Sequence, residues 1–441
     1  MTHLVRARTI FFVTPAALVI KSVLMLNKTI DVILCRCMYT MTGRVRVATI
    51  TLAIITHVWV LNLILCTSLH NKQSARGKKS YIEPRLLVSG SPSVEAPAVV
   101  VVCKAHNSSS NNPAQDAATG QGSLLLRESW TRQLEQLDLM LKTLLYFSKS
   151  DKWRIIVMTD TVSTFNEVVK LTHTFPERHR QRLELQHEKV WFPDKYPGIK
   201  EHWRPCVWAK QFLAEALPHE DSVVYFDTDV VFLGPAEEVW SLLRSMKTGQ
   251  AVSLAPEPQY ILDNPKRPYA GRAGLNTGVI IANLTRLRQL PGGGLGSAIL
   301  REGSFYPLPR HDQDALNHFL MNKPHLVQEV TSRWNFAPSS CFSSAPSCPD
   351  CVSAGILVLH GADATFYRHI DRKFLVVYHS MRSLRLDGDS QPVLAQLELQ
   401  LALVDALRSK FPCSNYSNLN HALTLGLKDA ATLKVQPLPQ H

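Results

Sequence analysis

The chain of 441 residues predicts a layered α/β domain with a mixed, mainly parallel sheet. Three observations predict it. From residue 98 onward, short apolar runs of strand length alternate with segments of helical period. One run, Val223-Val224-Tyr225-Phe226, lacks polar alternation, as in a strand covered on both faces. That run leads into Asp227-Thr228-Asp229, and open α/β sheets bind ligands at the carboxyl ends of their strands.

Residues 1–46 form an amino-terminal tail or extension, in which the apolar stretch 10–35 is interrupted by Lys21, Lys28 and Asp31. Val47 to Cys66 carries no formal charge and is long enough to cross a bilayer as a helix, so 47–69 is expected to be a signal-anchor. Residues 70–97, polar and Pro-containing, read as a stem. Ala98–Cys103 is the first buried strand, followed by a polar loop over 106–122. Leu134, Leu137, Leu141, Leu144 and Leu145 recur at helical spacing. Trp153–Asp160 is a strand, Val162–Thr172 a helix, Leu183–Val190 a strand and Val207–Leu217 a helix. Ser222–Phe232 reads as one extended apolar run through the two acids. Later strands are expected at Ala251–Leu254, Thr277–Ala282, His325–Val330 and Ile356–His360. A single domain over 98–410 and a carboxyl-terminal tail over 411–441 complete the division.

The net charge of +12 does not indicate nucleic-acid binding, because of where it lies. Residues 1–79 hold eleven Lys/Arg and one acid, Asp31, whereas the remainder has 37 basic and 35 acidic residues. No basic stripe with interleaved aromatics occurs in that remainder, as a nucleic-acid groove requires. Six cysteines follow the apolar segment: Cys103, Cys206, Cys341, Cys348, Cys351 and Cys413. An even count suits disulfides in an oxidising compartment, with fifteen full pairings open. Cys348-x2-Cys351 is a lone close pair without a matching second, which favours disulfides over structural zinc. Asn107-Ser108-Ser109, Asn283-Leu284-Thr285 and Asn415-Tyr416-Ser417 are glycosylation sequons, consistent with a luminal body.

Three Asp-x-Asp triplets occur. Asp387-Gly388-Asp389 has no apolar strand before it and reads as a solvated turn. Asp312-Gln313-Asp314 opens a helix, where acids suit the dipole. Only Asp227 and Asp229 follow a core strand. Extended, they project from the same face and repel each other unless a cation lies between them, so a divalent-metal site is the simplest account.

A longer ordered set of motifs resembles glycosyltransferase family 8, the retaining transferases of the GT-A fold, and within it the glucoside xylosyltransferases. The set comprises Tyr225-Phe226-Asp227-Thr228-Asp229-Val230-Val231-Phe232-Leu233, Val239-Trp240-Ser241-Leu242-Leu243, Ala255-Pro256-Glu257 and Tyr269 through Val279. Asn283-Leu284-Thr285-Arg286-Leu287-Arg288, Asp312-Gln313-Asp314-Ala315-Leu316-Asn317 and Leu359-His360-Gly361 follow, and the agreement spans roughly residues 98–380. The resemblance implies that Asp227, Asp229 and His360 ligate one Mn²⁺ on the diphosphate of a UDP-sugar. Oxygen ligands with one imidazole suit Mn²⁺ better than Mg²⁺. It further implies that Cys103 and Lys104 approach the uridine. Lys210, Thr228, Asn276, Thr277, Gly278 and Gly361 border the donor. Asp312 and Gln313 line the sugar pocket, Gln313 on the face opposite the departing nucleotide. The implied reaction is transfer of xylose from UDP-xylose to O-linked glucose on EGF-like repeats of glycoproteins such as Notch-type receptors, in an α-1,3 linkage. The implied setting is a single-pass type II protein of the Golgi or endoplasmic reticulum membrane with a luminal catalytic domain.

The chain departs from the family pattern in three places. Lys210 stands where an arginine is usual, and keeps charge without the bidentate fork. Ile370 stands where a lysine is usual, with Arg372 and Lys373 close by. The polar insertion after Cys103 is longer than usual. Other readings of the same residues are a family 8 transferase for another UDP-sugar, a glycoprotein-binding protein with a weakened site, and a metal-dependent phosphohydrolase. The last usually assembles more carboxylates or a second metal.

Overall fold

The computed structural model describes residues 95–104, 121–200, 205–258, 268–302, 311–341, 348–368, 370–407, 411–416 and 418–435. The expected membrane span, most of the expected stem and most of the expected polar loop after Cys103 lie outside them. Among the described residues no helix is long and apolar enough to cross a membrane.

Among the described residues nine strands alternate with helices. They are β1 (Ala98–Val102), β2 (Trp153–Thr159), β3 (Leu183–Lys189), β4 (Ser222–Phe226), β5 (Val230–Phe232), β6 (Val252–Pro256), β7 (Leu275–Asn283), β8 (Val327–Glu329) and β9 (Val358–His360). Seven form one sheet in the order β3-β2-β1-β4-β7-β6-β8, while β5 and β9 pair separately. The β1–β2, β1–β4, β2–β3 and β6–β8 pairs are parallel. β7 runs antiparallel to both β4 and β6, giving the mixed, mainly parallel sheet expected of a GT-A domain.

Apolar runs without alternation form central strands because both faces are covered. Ala98, Val100 and Val102 of β1 join one hydrophobic layer, and Val99 and Val101 the other. The first layer includes Leu137, Met140, Leu141, Leu144 and Leu145 of helix α1 (Gln121–Phe147). The second includes Trp208, Phe212 and helix α4 (Asp312–Met321) through Ala315, Leu316, Phe319 and Leu320. Helix α2 (Val162–Thr172) opens on Thr161, whose hydroxyl accepts from the Thr164 amide. Trp240 of helix α3 (Val239–Arg244) stacks on Trp153 at 4.6 Å.

Three expectations need adjustment, and one disfavoured alternative falls. The Ser222–Phe232 run is two strands, not one: β4 ends at Phe226, and Asp227–Asp229 turn the chain into β5. The helix expected over Val207–Leu217 is a helical turn Pro205–Trp208, a 3₁₀ segment Ala209–Phe212 and a further turn Leu213–Ala216. The 3₁₀ segment buries the consecutive side chains of Lys210 and Gln211, which an outward-facing polar helix position would leave in water. The zinc alternative falls, because the six cysteines pair as Cys103–Cys206, Cys341–Cys413 and Cys348–Cys351. The segment from 411 packs into the domain: helix α7 (Leu419–Val435) places Leu419, Ala422, Leu423, Leu427 and Ala431 in the core beside helices α5 (Arg372–Ser383) and α6 (Gln391–Ala406).

Candidate active site

The site lies where β4 ends. Because β7 is antiparallel to β4, its first residues reach the same end, and the Asp227 amide donates to the Gly278 carbonyl at 2.8 Å. β5 continues from Asp229 and pairs with β9 so that Val230 faces His360. The Gly361 amide donates to the Asp229 carbonyl at 2.8 Å, closing the turn. The Phe232 amide donates to Thr143 Oγ1 of α1 at 3.1 Å, fastening β5 to the first layer. Two strand pairings thus bring together residues 51 positions apart (Asp227 and Gly278) and 130 apart (Val230 and His360).

His360 Nε2 lies 3.4 Å from Asp229 Oδ1 and 3.8 Å from Asp227 Oδ2. Among the described residues these three are the group of ligand type close enough to share an ion. Ligands at right angles around a metal with bonds of roughly 2.1–2.4 Å are separated by roughly 3–3.5 Å, so the His360–Asp229 separation fits a shared divalent cation while that to Asp227 is wider. Burial works against charge on His360, but Asp229 and Asp227 outweigh it and raise its pKa. Burial alone would push Asp229 up; His360 and Lys210 outweigh it and hold the carboxyl low.

Lys210 is a second cation in the cluster. Its Nζ donates to both Asp227 oxygens at 3.2 Å, lies 3.7 Å from Asp312 Oδ2, and sits 5.5 Å from the centre of the Tyr225 ring. Burial opposes the ammonium charge, yet Asp227 and Asp312 raise its pKa. Asp312, at the first turn of α4, accepts from Gln211 Nε2 at 2.8 Å, and burial pushes its carboxyl up against the pull of Lys210. Tyr225 Oη donates to Asp227 Oδ1 at 2.5 Å.

Gln313 Oε1 accepts from the Thr277 amide at 3.0 Å, fixing which end of that carboxamide faces which way. Asn317 staples the same two elements: its Oδ1 accepts from the Leu275 amide at 2.8 Å, and its Nδ2 donates to the Leu275 carbonyl at 2.8 Å. Asn276 Oδ1 accepts from the Gly278 amide and from Asn335 Nδ2, each at 2.8 Å, while its Nδ2 donates to buried Glu257. Gly278 is needed here for proximity: a Cβ would fall 2.1 Å from His360 Cε1. Gly361 is confined likewise by the Phe366 ring, 2.3 Å from a Cβ position. Thr228 is half-buried in the turn between the two acids.

Asp227, Asp229, His360, Lys210, Asp312, Gln313, Asn276, Thr277, Gly278 and Gly361 therefore converge. Cys103 and Lys104 are used differently. The Cys103 sulfur is bonded to Cys206, leaving only its backbone for a ligand. Lys104 Nζ is 2.5 Å from Glu167 and stands over the Trp130 ring at 5.3 Å, while its amide donates to Asp160. Nor do the basic residues near Ile370 offer an obvious replacement for a lysine: Lys373 is buried against Asp405 at 2.8 Å, and Arg372 lies over the Phe411 ring. Sequence reasoning missed Tyr225, Gln211, Glu257 and Asn335. Tyr225 alternates with Asp227 on one strand face, a signal that was legible; the others carry no local signature.

Several known proteins are similar to this chain. The family model described as "Glycosyl transferase family 8" matches residues 134–360, just over half of the chain, including all three candidate metal ligands. Glucoside xylosyltransferase 1 of Mus musculus is 30% identical over 232 residues, covering 48% of this chain and 57% of that protein. Its Homo sapiens counterpart is 30% identical over 219 residues, covering 46% and 49%. Glucoside xylosyltransferase 2 of Mus musculus is 28% identical over 298 residues, covering 64% and 66%. The chain spans about half the length of the first of these relatives. A crystal structure of mouse xyloside xylosyltransferase 1, apo form, aligns with a TM-score of 0.44 at 14% identity, covering 62% of this chain and 99% of that one. With the matched segment running from α1 through the last metal-ligand candidate, the chain belongs to glycosyl transferase family 8.

Proposed function

We propose that this chain is a Mn²⁺-dependent retaining xylosyltransferase acting on UDP-xylose, with O-linked glucose on an EGF-like repeat as acceptor. The observation that carries the reading is the Asp227–Asp229–His360 cluster at the end of a central strand, in a chain similar to glucoside xylosyltransferases. When bound, the cation would supply Lewis-acid stabilisation of the charge that builds on a departing diphosphate. Asp227, Asp229 and His360 would hold it. Lys210 balances the carboxylates from the buried side, so that the site does not depend on the cation alone for neutrality. The amide oxygen of Gln313 is held by the Thr277 amide at 3.0 Å and by the Thr277 hydroxyl at 3.4 Å, which fixes the carboxamide for an electrostatic role at the sugar carbon. Asp312, held by Gln211, would accept from a sugar hydroxyl.

Anchoring in a Golgi or endoplasmic reticulum membrane with the catalytic domain in the lumen belongs to the same reading. Three disulfides in the described domain suit an oxidising compartment. A pocket discriminates xylose from a hexose chiefly by excluding the extra hydroxymethyl group, so other UDP-sugars are the nearest competing donors.

The test is a mass measurement on an EGF-like repeat carrying O-glucose, incubated with the purified chain, Mn²⁺ and a panel of UDP-sugars. A pentose gain with UDP-xylose alone, abolished in Asp229→Asn, is the expected result. A hexose gain would overturn the donor. No transfer from any donor by a folded protein would overturn the enzymatic reading in favour of glycoprotein binding.

A further inference from the structure

We propose that Glu257 is a positioning residue for the metal ligand His360, acting through Asn276 and Gly278 and through a buried hydration site behind the imidazole. The inference rests on the reading of Asp227, Asp229 and His360 as a cation site, and assigns a role to a buried acid which that reading leaves without one.

Glu257 follows β6 directly and is only 7% exposed. Among the described residues it makes no ion pair; burial raises its pKa, and Ser339, Asn276 and the nearby His360 offset only part of that rise. An acid placed at that cost must do something its neighbours require. One carboxylate oxygen accepts from Asn276 Nδ2. A carboxamide whose nitrogen is committed in this way must turn its oxygen the other way, and Asn276 Oδ1 accepts there from the Gly278 amide at 2.8 Å. Gly278 is the residue against which the His360 ring lies: a Cβ would stand 2.1 Å from Cε1, 2.5 Å from Nδ1 and 2.7 Å from Nε2. The ring therefore rests on a wall whose position is set, two hydrogen bonds back, by Glu257.

The second observation concerns atoms left over. Among the described residues, Glu257 Oε1, Asn335 Oδ1, Ser339 Oγ and His360 Nδ1 are buried without a well-formed hydrogen bond, the Ser339 hydroxyl lying close enough to the Glu257 carboxyl to lower its pKa. Asn335 is bonded to Asn276 and Ser339 lies beside Glu257, so these atoms belong to one neighbourhood. When Nε2 holds a metal, Nδ1 carries the proton and donates. The inventory is then two donors, Nδ1–H and the Ser339 hydroxyl, and two acceptors, Glu257 Oε1 and Asn335 Oδ1. One water molecule, which donates twice and accepts twice, satisfies all four. Such a water fixes the tautomer that leaves the Nε2 lone pair toward Asp227 and Asp229.

Metal affinity tests the assignment without recourse to turnover. Free Mn²⁺ is titrated against the wild-type chain, Glu257→Leu and Glu257→Gln by electron paramagnetic resonance, with the melting temperature in EDTA recorded for each. Glu257→Leu is expected to weaken Mn²⁺ binding roughly 10- to 100-fold. Glu257→Gln, whose side-chain oxygen still accepts from Asn276, is expected to stay within about threefold of wild type. Should Glu257→Leu not fold, Asn276→Ala breaks the same relay in the middle and is expected to lose affinity comparably. Wild-type affinity in Glu257→Leu, or equal losses in the Leu and Gln variants, would overturn the positioning role alone. A rise only in acceptor KM, with Mn²⁺ affinity unchanged, would overturn it by making Glu257 an acceptor contact. Failure of the wild-type chain to bind Mn²⁺ would overturn the cation site and this inference together.

Discussion

His360 occupies the space where a side chain on Gly278 would begin: a Cβ there would lie 2.1 Å from His360 Cε1, well inside any real contact distance. The glycine of the Asn276-Thr277-Gly278 turn thus serves the metal ligand, whatever else it does for a donor sugar. Gly278 does not have the positive φ that would itself demand glycine, so alanine is excluded by the imidazole and not by the backbone. Gly278→Ala is expected to displace the ring, weakening Mn²⁺ binding by at least tenfold while destabilising the domain by about 1–3 kcal/mol. Isothermal titration with Mn²⁺ beside urea unfolding separates the two effects. Unchanged affinity would mean that the ring has room to move without losing the site.

The cluster also predicts a pH dependence that metal reverses. In the metal-free domain the pKa of His360 is raised above 6.5, because Asp229 and Asp227 outweigh burial. Its contribution to stability is then complete below pH 6.5 and disappears as pH rises through the raised value. Asp229 is held below 3.8, so its contribution is present above 3.8 and disappears as pH falls through the lowered value. In EDTA, the melting temperature of wild type relative to His360→Asn should therefore be highest between about pH 4 and 6.5 and decline above it. Mn²⁺ needs the neutral imidazole, so its affinity should increase with pH over the range in which the metal-free advantage is lost. A flat difference across both ranges would show that His360 is not paired with the carboxylates.

Lys210 is the internal counter-charge of the site. It is buried, with Nζ 3.2 Å from Asp227 and 3.7 Å from Asp312. Lys210→Met keeps much of the volume but strands two carboxylates, a change that costs about 3–5 kcal/mol when a buried pair is broken. Part of that loss should return on adding Mn²⁺, which neutralises Asp227 from the other side. Urea unfolding with and without Mn²⁺ measures both numbers. A loss that Mn²⁺ leaves untouched would place the importance of Lys210 at Asp312 instead.

What was legible in the sequence followed from local chemistry. β1, β2 and the helix Val162–Thr172 were legible because their apolar runs or helical period extend over many residues. The pair Asp227 and Asp229 stood out because acids at the end of a core strand require an explanation. Local pattern cannot show the pairing of β5 with β9, which alone sets His360 beside Asp229 across 131 positions; the resemblance supplied that ligand set. Nor can it show that the run before Phe232 breaks into a turn, since a turn made of Asp-Thr-Asp has the same composition as a strand end. Glu257 was quoted as part of a motif but given no role, because its meaning depends on Asn276 and His360 standing behind one another. The Cys103–Cys206 bond was invisible for the same reason: it joins the end of β1 to a segment more than a hundred residues away.

The two disulfides near the carboxyl terminus should differ sharply in what they contribute. Cys341–Cys413 spans 72 positions and joins the residues before α7 to the layer that holds Phe336, whose carbonyl accepts from the His360 amide at 2.9 Å. Cys348–Cys351 spans three. The loop-closure entropy removed from the unfolded chain is worth about 4 kcal/mol for the long loop and about 2 kcal/mol for the short one. Cys341→Ser with Cys413→Ser should therefore lower the unfolding free energy about twice as much as Cys348→Ser with Cys351→Ser. The long loop has a second consequence: α7 rests on the core through Leu419, Leu423 and Leu427, and Gly426 lies so close to Leu233 that a Cβ would meet its carbonyl oxygen at 1.8 Å. Leu233 follows β5, the strand leading out of Asp229, so loosening α7 removes a support of the metal turn. The double variant lacking Cys341–Cys413 is expected to lose Mn²⁺ affinity severalfold at temperatures where it remains folded, whereas the variant lacking Cys348–Cys351 is not. Equal Mn²⁺ affinity in the two variants would confine the long disulfide to global stability.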